Sequence, residues 1–418
     1  MHLSERIATE SLDFSTVTVV SGEHPYLSVV ATTRNDDHGG DALQRTQLFL
    51  DALAAQCERH GLDAELVLVE WNPPADRAGL RDALRWPEAG DHFEARIVEV
   101  PEEIHNRLEN SDQLPLFQMI AKNVGIRRAR GDFVLATNID LIFSDELMEF
   151  LAERQLDPEL VYVTDRYDVD VGLPDAPIDE QLEWCKQHLV RINRSDGTYE
   201  SGIGRFFRIY ETPFPIWLGR WVRLGRHAAS RKALRTTFRG LKEMVRRRPP
   251  SSPAQELGQA AVPFPQLVRY AWFEEHAQMR MHTNACGDFT LVSREGWAKA
   301  EGYAELELYS FFIDALFMYE AHYAGLREIV LPYAVYHMEH GGGWKPEEEQ
   351  MDDLLTRLDQ RGIPSISYQQ YLDWVIQMYK TKQRVIPRTA TWGFSDEQLQ
   401  EQWVVRRRAD PSLARAAS

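Results

Sequence analysis

Asn138 and Asp140 stand directly after a hydrophobic run, where a buried strand would end. The run covers residues 132–137, with the sequence DFVLAT, and Asn-Ile-Asp follows it at once. Alternate side chains of an extended chain point the same way, so Asn138 and Asp140 would lie together if the strand continued. Amide and carboxylate oxygens bind hard divalent cations. The pair therefore predicts a cation site, although Asn and Asp are also ordinary turn formers at the end of a strand.

His337 and His340 offer two further ligands. They follow a predicted strand within 328–336 and precede the Gly-Gly-Gly-Trp sequence of 341–344. A neutral imidazole suits Mn²⁺ better than Mg²⁺. We predict that His337 binds the cation, with His340 as the next choice, and a purely structural role for these histidines stays open. The three glycines indicate a loop that closes over a ligand with Trp344, or a plain linker.

Asp314 is the first candidate for a general base. Its neighbours in the sequence are aromatic and apolar, and such surroundings raise the pKa of a carboxylate toward a useful value. Asp288 is the second candidate, as a base or as a group that binds an acceptor hydroxyl. An ordinary stabilising acid at a helix N-terminus is the alternative for Asp314. A further acidic cluster at 165–170 is expected to form a loop near the site without binding metal.

The elements that must position these residues alternate between strand and helix. Strands are predicted at Leu27–Thr33, Ala64–Trp71, 95–100, 132–137, 161–164, 287–292 and within 328–336. Helices are predicted at 41–60, 76–86, 115–130, 310–324 and over most of 352–380. This alternation predicts an α/β fold, with a mixed sheet flanked by helices. Ligands of such sheets bind beyond the carboxyl ends of the strands, where Asn138 and His337 are expected.

In their order along the chain, these segments resemble glycosyltransferases of the GT-A fold, of the family-2 kind. The matching segments of the first half are 27–35, 65–72, 121–125 and 138–140. A second set resembles the galactosyltransferase-type C-terminal module of that family, at 287–289, 293–297, 302–303 and 312–316. The resemblance covers about half of the chain. The family usually has Asp-x-Asp and an acid pair, where this chain has Asn138 and Ile313-Asp314.

The resemblance implies a nucleotide-diphospho-sugar donor, bound with Mn²⁺ or Mg²⁺. It places nucleotide-sugar contacts at Thr32, Arg34, Asn35, Glu70, Asn72, Lys122, Asn123 and Asn138. It places metal ligands at Asp140, Asn138, His337 and His340, and catalytic carboxylates at Asp314 and Asp288. The implied reaction moves a hexosyl group to a hydroxyl of a glycan or a lipid-linked acceptor, with inversion, in the biosynthesis of cell-surface polysaccharide.

Two other functions stay open at this point. One is a nucleotidyltransferase with a related sheet, although the loop after the first strand has only Gly39-Gly40 and no nearby lysine. The other is a non-catalytic protein that binds a nucleotide sugar or a carbohydrate. A dinucleotide-dependent oxidoreductase is disfavoured, because no GxGxxG follows the first strand.

Composition narrows the setting. The net charge of −17 over 418 residues disfavours non-specific binding to nucleic acid. Cys57, Cys185 and Cys286 are far apart and form no CxxC motif, so we expect a reducing cytoplasm rather than a disulfide framework. No signal-peptide pattern or membrane-spanning apolar run is seen in the sequence, so any membrane contact is expected to be peripheral, at the inner face.

The segment 205–248 departs from the acidic average. It has 13 Lys or Arg against two acids, with aromatic residues between them. Such a segment suits anionic lipid head groups or a lipid-linked acceptor, and a protein contact or a positive wall around an anionic substrate is the alternative. We therefore predict four regions: a nucleotide-sugar-binding half at 1–194, a basic aromatic insertion at 195–265, an acceptor half at 266–345, and a helical C-terminal extension at 346–418.

Overall fold

The computed structural model describes residues 24–36, 39–195, 197–202, 205–211, 281–340, 354 and 356–408. Within these residues one mixed sheet of 12 strands is packed between helices, which confirms the predicted α/β class. The strands are β1 Leu27–Thr33, β2 Ala64–Trp71, β3 Phe93–Val100, β4 Phe133–Thr137, β5 Leu141–Phe143, β6 Leu160–Val169, β7 Leu189–Arg194, β8 Gly197–Gly202, β9 Arg205–Glu211, β10 Phe289–Ser293, β11 Arg327–Met338 and β12 Gln400–Val405. The helices are α1 Ala42–His60, α2 Leu80–Ala83, α3 Glu102–His105, α4 Gln118–Arg128, α5 Asp145–Ala152, α6 Ile178–Gln187, α7 Arg294–Ala300, α8 Ile313–Tyr323 and α9 Tyr368–Thr381.

Helices cover both faces of the central strands. All residues of β1 are buried, as expected of a parallel strand with a helix layer on each side. Val30 packs in the core that contains α4, α7, α8 and α9, whereas Val29 and Ala31 pack in the core that contains α1 and α5. The alternation of side chains along one apolar strand thus supplies two cores and leaves only the ends of the strand open to a ligand.

The strand directions gather several chain segments at one edge of the sheet. The order is β12-β3-β2-β1-β4-β10-β6-β7-β8-β9, with β11 against both β5 and β6. β1, β2, β3 and β4 are parallel, β10 is antiparallel to β4 and β6, and β11 is parallel to β6. The carboxyl ends of β1, β2, β4, β6 and β11 therefore lie at the same edge, together with the start of β10. This edge is where ligands of such sheets bind.

Strand β6 is longer than the sequence predicts. The acidic cluster at 165–170, expected to be a loop, continues the strand as far as Val169. Its backbone is held on one side by β11 and on the other by β7. Pairing on both sides stabilises this polar stretch as a strand. Its charged residues do not show the apolar pattern by which a buried strand is predicted from sequence. Asp168 is thereby fixed in the sheet rather than in a loop.

Other boundaries differ in smaller ways. Helix α2 is limited to Leu80–Ala83, where a helix over 76–86 was predicted. Helix α4 begins at Gln118, and α8 begins at Ile313. Five strands lie in regions for which none was predicted: β5, β7, β8, β9 and β12. The hairpin of β8 and β9 continues the sheet from β7, and β12 pairs with β3 from the C-terminal region.

Some predictions concern residues that the structure does not describe. These are the linker and most of the basic segment, at 212–280, the glycines and Trp344 at 341–344, and the C-terminal tail from 409. In the parts that the structure covers, no helix combines the length and the apolar character needed to cross a bilayer.

Candidate metal centre and catalytic site

Asp140 and His337 are brought together by the pairing of β5 with β11. The chain leaves β4 at Thr137, and β5 begins at Leu141, opposite His337. The backbone N–H of Met338 donates to the carbonyl of Asp140 at 2.9 Å. The short strand β5 follows the Asn-Ile-Asp sequence directly. Its pairing with β11 therefore holds Asp140 beside the end of β11, where His337 lies.

Asp140, His337 and His340 form a compact set of possible metal ligands. Nε2 of His340 lies 3.4 Å from Oδ2 of Asp140, and Nε2 of His337 lies 3.7 Å from the same oxygen. One ligand atom of each residue lies within 4.8 Å of the others. The second oxygen of Asp140, Oδ1, is buried and has no hydrogen-bond partner among the described residues. A buried carboxylate oxygen without a partner beside two imidazoles fits a divalent cation.

The charges at this cluster are strongly coupled. Burial raises the pKa of Asp140, but the two histidines outweigh it and hold that pKa well below its usual range. Burial and Arg166 lower the pKa of His337, but Asp140 and Asp168 outweigh them and raise it to about 10. Without a cation, the buried carboxylates are thus balanced by a protonated imidazole. A cation bound here would take the place of that proton.

Two residues to which the sequence analysis gave no role at the metal site also lie at this cluster. Arg45, in the first turns of α1, donates from Nη1 to Oδ2 of Asp140 at 3.1 Å. Gly39 has a φ of 73°, and a Cβ there would stand 2.7 Å from Nδ1 of His340. The loop between β1 and α1 therefore approaches the histidines closely, and only glycine permits this approach without strain. Neither residue belongs to a sequence motif that could have revealed it.

A second acidic group, Asp168 with Glu339, lies on the other side of His337. Arg166 and Arg191 already neutralise it: Nε of Arg166 is 2.7 Å from Asp168 Oδ1, and Nη1 of Arg191 is 3.2 Å from Oδ2. Nη1 of Arg191 also lies 3.5 Å from Glu339. Two guanidinium groups balance this group, so the Asp140 cluster is the better place for a cation.

Asp314 is held at the start of α8 against the turn that precedes β10. The backbone N–H of Gly287 donates to Oδ2 of Asp314 at 3.0 Å, and that of Ala315 donates to Oδ1 at 2.8 Å. A Cβ on Gly287 would stand 2.6 Å from Oδ2, so glycine is needed for this contact. Burial raises the pKa of Asp314, and the bond from Ala315 and the charge of Lys122 oppose that rise only in part. A carboxylate in this state is suited to accept a proton.

Lys122 connects the candidate base to the metal cluster. Its ammonium group is wholly buried and donates to the carbonyl of Gly287 at 2.8 Å. Burial lowers the pKa of Lys122, while Asp288, Asp314 and Asp140 raise it, in that order of effect. Three acids of the site thus interact electrostatically with one buried lysine. Lys122 is completely buried near these acids, and its contact with the nucleotide stays a prediction.

Asp288 is more fully engaged than Asp314. The amide of Asn138 donates to its Oδ1, and Nη1 of Arg166 lies 2.8 Å from its Oδ2. Because Arg166 already forms an ion pair with Asp288, Asp314 stays the first candidate for the base. Asn138 also accepts a hydrogen bond from Gln118 at 2.9 Å. It therefore contacts Asp288 rather than Asp140, and a role for Asn138 as a metal ligand stays a prediction.

The predicted nucleotide contacts lie at the ends of β1 and β2. Arg34 donates to the carbonyl of Pro115 at 2.8 Å, and Asn35 donates to that of Ala78 at 2.9 Å. Glu70 accepts from the N–H of Leu80 at 2.8 Å. Burial, with smaller effects of nearby Glu99 and Asp82, raises its pKa to about 7, against the bond from Leu80. Asn72 follows β2 with a φ of 43°, in the left-handed region. Polar side chains of this kind at one edge can bind a nucleotide.

Two further predicted nucleotide contacts have polar atoms that form hydrogen bonds inside the fold, and their contact with the nucleotide stays a prediction. Asn123 is fully buried and donates to both the carbonyl of Tyr303 and the carboxylate of Glu305, each at 3.0 Å. It fastens α4 to the turn after α7. Thr32 is buried, and its hydroxyl donates to the carbonyl of Val69 at 3.3 Å.

The donor set gives a first prediction about the metal. A carboxylate with two imidazoles favours Mn²⁺, whereas Mg²⁺ prefers oxygen ligands and water. We expect the wild-type chain to bind Mn²⁺ more tightly than Mg²⁺ by about tenfold, measured by isothermal titration calorimetry. The variant His340→Ala should have a smaller ratio of Mn²⁺ affinity to Mg²⁺ affinity. Equal affinity of the wild-type chain for both ions would contradict the assignment of imidazole ligands.

Comparisons with known proteins give matches at the level of structure alone. No protein-family model matches the chain, and no curated protein matches it. A Drosophila beta1,4-galactosyltransferase 7 catalytic domain with xylobiose matches at 9% identity over 78% of this chain and 79% of that one, with a TM-score of 0.30. A mannosyltransferase of Pyrobaculum calidifontis with GDP-Man and Mn²⁺ matches at 13% identity, 86% and 74% coverage, and a TM-score of 0.33. S. aureus TarS with UDP-GlcNAc matches at 12% identity, 85% and 72% coverage, and a TM-score of 0.34.

The matched proteins that are named as enzymes are glycosyltransferases, the class that the sequence segments resemble. With TM-scores well below 0.5, however, the function of this chain has to be argued from its own residues.

Proposed function

We propose that this chain is a glycosyltransferase that moves a sugar from a nucleotide-diphospho-sugar to an acceptor hydroxyl, with inversion at the anomeric carbon. One observation carries the proposal: a set of possible metal ligands around the buried Asp140 and a carboxylate of raised pKa, that of Asp314, both lie at the carboxyl edge of the sheet, where Asp140 and Asp314 interact electrostatically with the buried Lys122. A departing nucleoside diphosphate needs the charge of a bound metal, and activation of an acceptor hydroxyl needs the carboxylate.

Asp140, His337 and His340 would hold the divalent cation. Bound there, it supplies positive charge that neutralises the negative charge developing on the departing nucleoside diphosphate. Arg45, already paired with Asp140, orients that carboxylate from the side of α1. Arg34, Asn35, Glu70 and Asn72 would contact the nucleotide at the ends of β1 and β2.

Asp314 would act as the base. Its carboxylate takes the proton of the acceptor hydroxyl while that oxygen forms a bond to the anomeric carbon. The bond from this carbon to the phosphate oxygen breaks, and the nucleoside diphosphate leaves with the electron pair. Because burial raises the pKa of Asp314, its carboxylate binds the incoming proton more strongly than an exposed one would.

The first experiment is a panel of UDP- and GDP-sugars, tested for binding and for slow hydrolysis with and without Mn²⁺. Metal-dependent binding of one donor identifies the sugar and the base together. If no donor binds in the presence of metal, the glycosyltransferase proposal is wrong, and the non-catalytic and nucleotidyltransferase alternatives become the ones to test. Incorporation of label from a nucleoside triphosphate into a sugar phosphate would favour the second of these.

Glu70 provides a pH-dependent test of the nucleotide contacts. A carboxylate with a pKa of about 7 is mostly protonated at pH 6 and mostly ionised at pH 8. If the ionised form accepts hydrogen bonds from the nucleotide, affinity for the nucleoside diphosphate should rise by about tenfold over this range. The change should disappear in Glu70→Gln. In Asp82→Asn it should move to lower pH, because Asp82 helps to raise the pKa of Glu70. A wild-type affinity that does not vary with pH would refute the contact.

We further propose a glycan or lipid-linked acceptor, met at the cytoplasmic face of a membrane through the basic segment 205–248. The excess of Lys and Arg in that segment supports this proposal, within a chain that is acidic overall. Sedimentation with vesicles of phosphatidylglycerol, compared with vesicles of phosphatidylcholine, tests it. No difference between the two lipids would exclude an electrostatic membrane contact.

A further inference from the structure

His337 lies between two buried carboxylates. Its Nε2 faces Asp140 at 3.7 Å, and its Nδ1 lies 3.3 Å from Oδ1 of Asp168. One imidazole can serve a cation through only one of these nitrogens while the other holds a proton. Which nitrogen is free therefore decides whether His337 can bind a cation beside Asp140.

Asp168 has the surroundings of an immobile hydrogen-bond acceptor. It is completely buried in β6, between β11 and β7. Arg166 and Arg191 neutralise it from two sides, and the amide of Asn193 donates to its Oδ2 at 3.0 Å. These partners keep the carboxylate ionised and leave it little freedom to move. Its Oδ1 remains the oxygen nearest to His337.

We propose that Asp168 is a positioning residue for the metal site: it accepts the Nδ1 proton of His337 and so directs the lone pair of Nε2 toward Asp140. This inference rests on the proposed function, since it assigns the cation to the Asp140 cluster. It also gives a reason for the two arginines, Arg166 and Arg191, that form ion pairs with Asp168. They fix the charge and the place of Asp168, and Arg166 joins this carboxylate to Asp288 on the acceptor side.

The test is the affinity of Asp168→Asn for Mn²⁺ alone, measured by calorimetry and by electron paramagnetic resonance. Loss of a carboxylate behind a metal-bound histidine weakens binding by about 10- to 100-fold, and we expect a loss in that range. The matched control is Asp165→Asn. Asp165 lies on the same strand and contacts another imidazole, with 3.0 Å between its Oδ1 and Nε2 of His282, but it has no contact with the metal cluster. The Asp165→Asn variant should bind Mn²⁺ with the affinity of the wild type.

A second readout separates positioning from a general loss of structure. In the protein loaded with diamagnetic Cd²⁺, nitrogen NMR of His337 should show a proton on Nδ1 in the wild type. In Asp168→Asn, at a Cd²⁺ concentration that just saturates the wild type, part of His337 should lose Cd²⁺ from Nε2, and its signal should move toward that of the free imidazole, a mixture of tautomers. An unchanged affinity for Mn²⁺ in a folded Asp168→Asn variant would overturn the inference. If the wild type itself fails to bind Mn²⁺, the metal assignment in the proposed function fails instead, so the two failures are distinguishable.

Asp168→Asn removes a charge from between two buried arginines, so a milder variant is included. Asn193→Ala deletes one hydrogen bond to Asp168 and keeps its charge. We expect it to fold and to weaken Mn²⁺ binding by about threefold, the effect of a single hydrogen bond. An Asn193→Ala variant with wild-type affinity and an unchanged His337 tautomer would count against the inference if Asp168→Asn does not fold.

Discussion

Replacing Asp140 by alanine should reduce sugar transfer by about 1,000-fold or more and abolish tight binding of Mn²⁺. The carboxylate contributes the only negative charge to the cluster with His337 and His340, and one of its oxygens has no other partner in the described structure. Charge stabilisation by a metal is worth several kcal/mol, which corresponds to a loss of this size. Initial rates with saturating donor, together with calorimetry of Mn²⁺ binding, give both values.

Two further variants make this prediction decisive. Asp132→Ala changes an exposed acid at the opposite end of the same strand and should leave rate and metal affinity unchanged. Removal of Asp140 also takes away the ion-pair partner of the buried Arg45, and loss of one partner of a buried ion pair is destabilising. Asp140→Asn keeps a hydrogen-bond acceptor for Arg45. It should bind Mn²⁺ more weakly than the wild type, as Asp140→Ala does, but its melting temperature should be closer to that of the wild type. A folded Asp140→Ala enzyme with full activity would show that the metal role is wrong.

Replacing Asp314 by asparagine should reduce transfer by about 100- to 10,000-fold and leave donor and metal binding intact. General-base catalysis accounts for effects of this size. The dissociation constant for the nucleoside diphosphate with Mn²⁺ should stay within about twofold of the wild type, because Asp314 is not among the metal ligands. An equal loss of donor binding would indicate that Asp314 shapes the donor site instead.

The pH dependence follows from the raised pKa of Asp314. The base works only when ionised, so transfer by the wild type should increase with pH along an acid limb that lies above pH 4, the ordinary range of an aspartate. Lys122→Met removes a charge that opposes the rise, and it should move the limb to still higher pH. Asp314→Asn should lack the limb.

The raised pKa of Asp314 should make the folded protein less stable as pH rises, whereas the transfer rate increases with pH. A carboxylate whose folded pKa is raised makes the folded state less stable as pH rises from the unfolded pKa to the folded one. Asparagine lacks this titration. At pH 7 the Asp314→Asn variant should therefore melt no lower than the wild type, and a large drop in melting temperature would contradict the burial effect.

The apolar strands were predictable from the sequence because their composition is dominated by one requirement. β1 and β2 are buried on both faces, so most of their residues are apolar, and the predicted bounds Leu27–Thr33 and Ala64–Trp71 agree with the structure. Helix ends with strong local signals were predictable for the same reason. Gly61 ends α1 in the left-handed conformation, and Ser144 accepts a hydrogen bond from the N–H of Leu147 at the start of α5.

The parts that could not be predicted depend on distant pairing. The polar end of β6 is a strand because β7 and β11 hold it, and its own residues give no apolar alternation. Arg45 reaches Asp140 across 95 positions of sequence, and no local pattern distinguishes it from other helix arginines. Asn123 was expected to contact a ligand from its place in a motif, whereas its amide is used by a turn 180 positions later. A site built from such contacts becomes visible only in three dimensions.

Strand β12 has a consequence for handling the protein. It pairs along β3, and Glu401 and Trp403 contact Arg96 on that strand. The edge of β3 that faces β12 thereby presents no open row of backbone groups to another molecule. A shortened chain that ends before residue 400 would uncover this row beside a buried arginine, and uncovered rows of this kind recruit further copies into aggregates. The C-terminal residues therefore keep the enzyme dispersed, as well as completing its sheet.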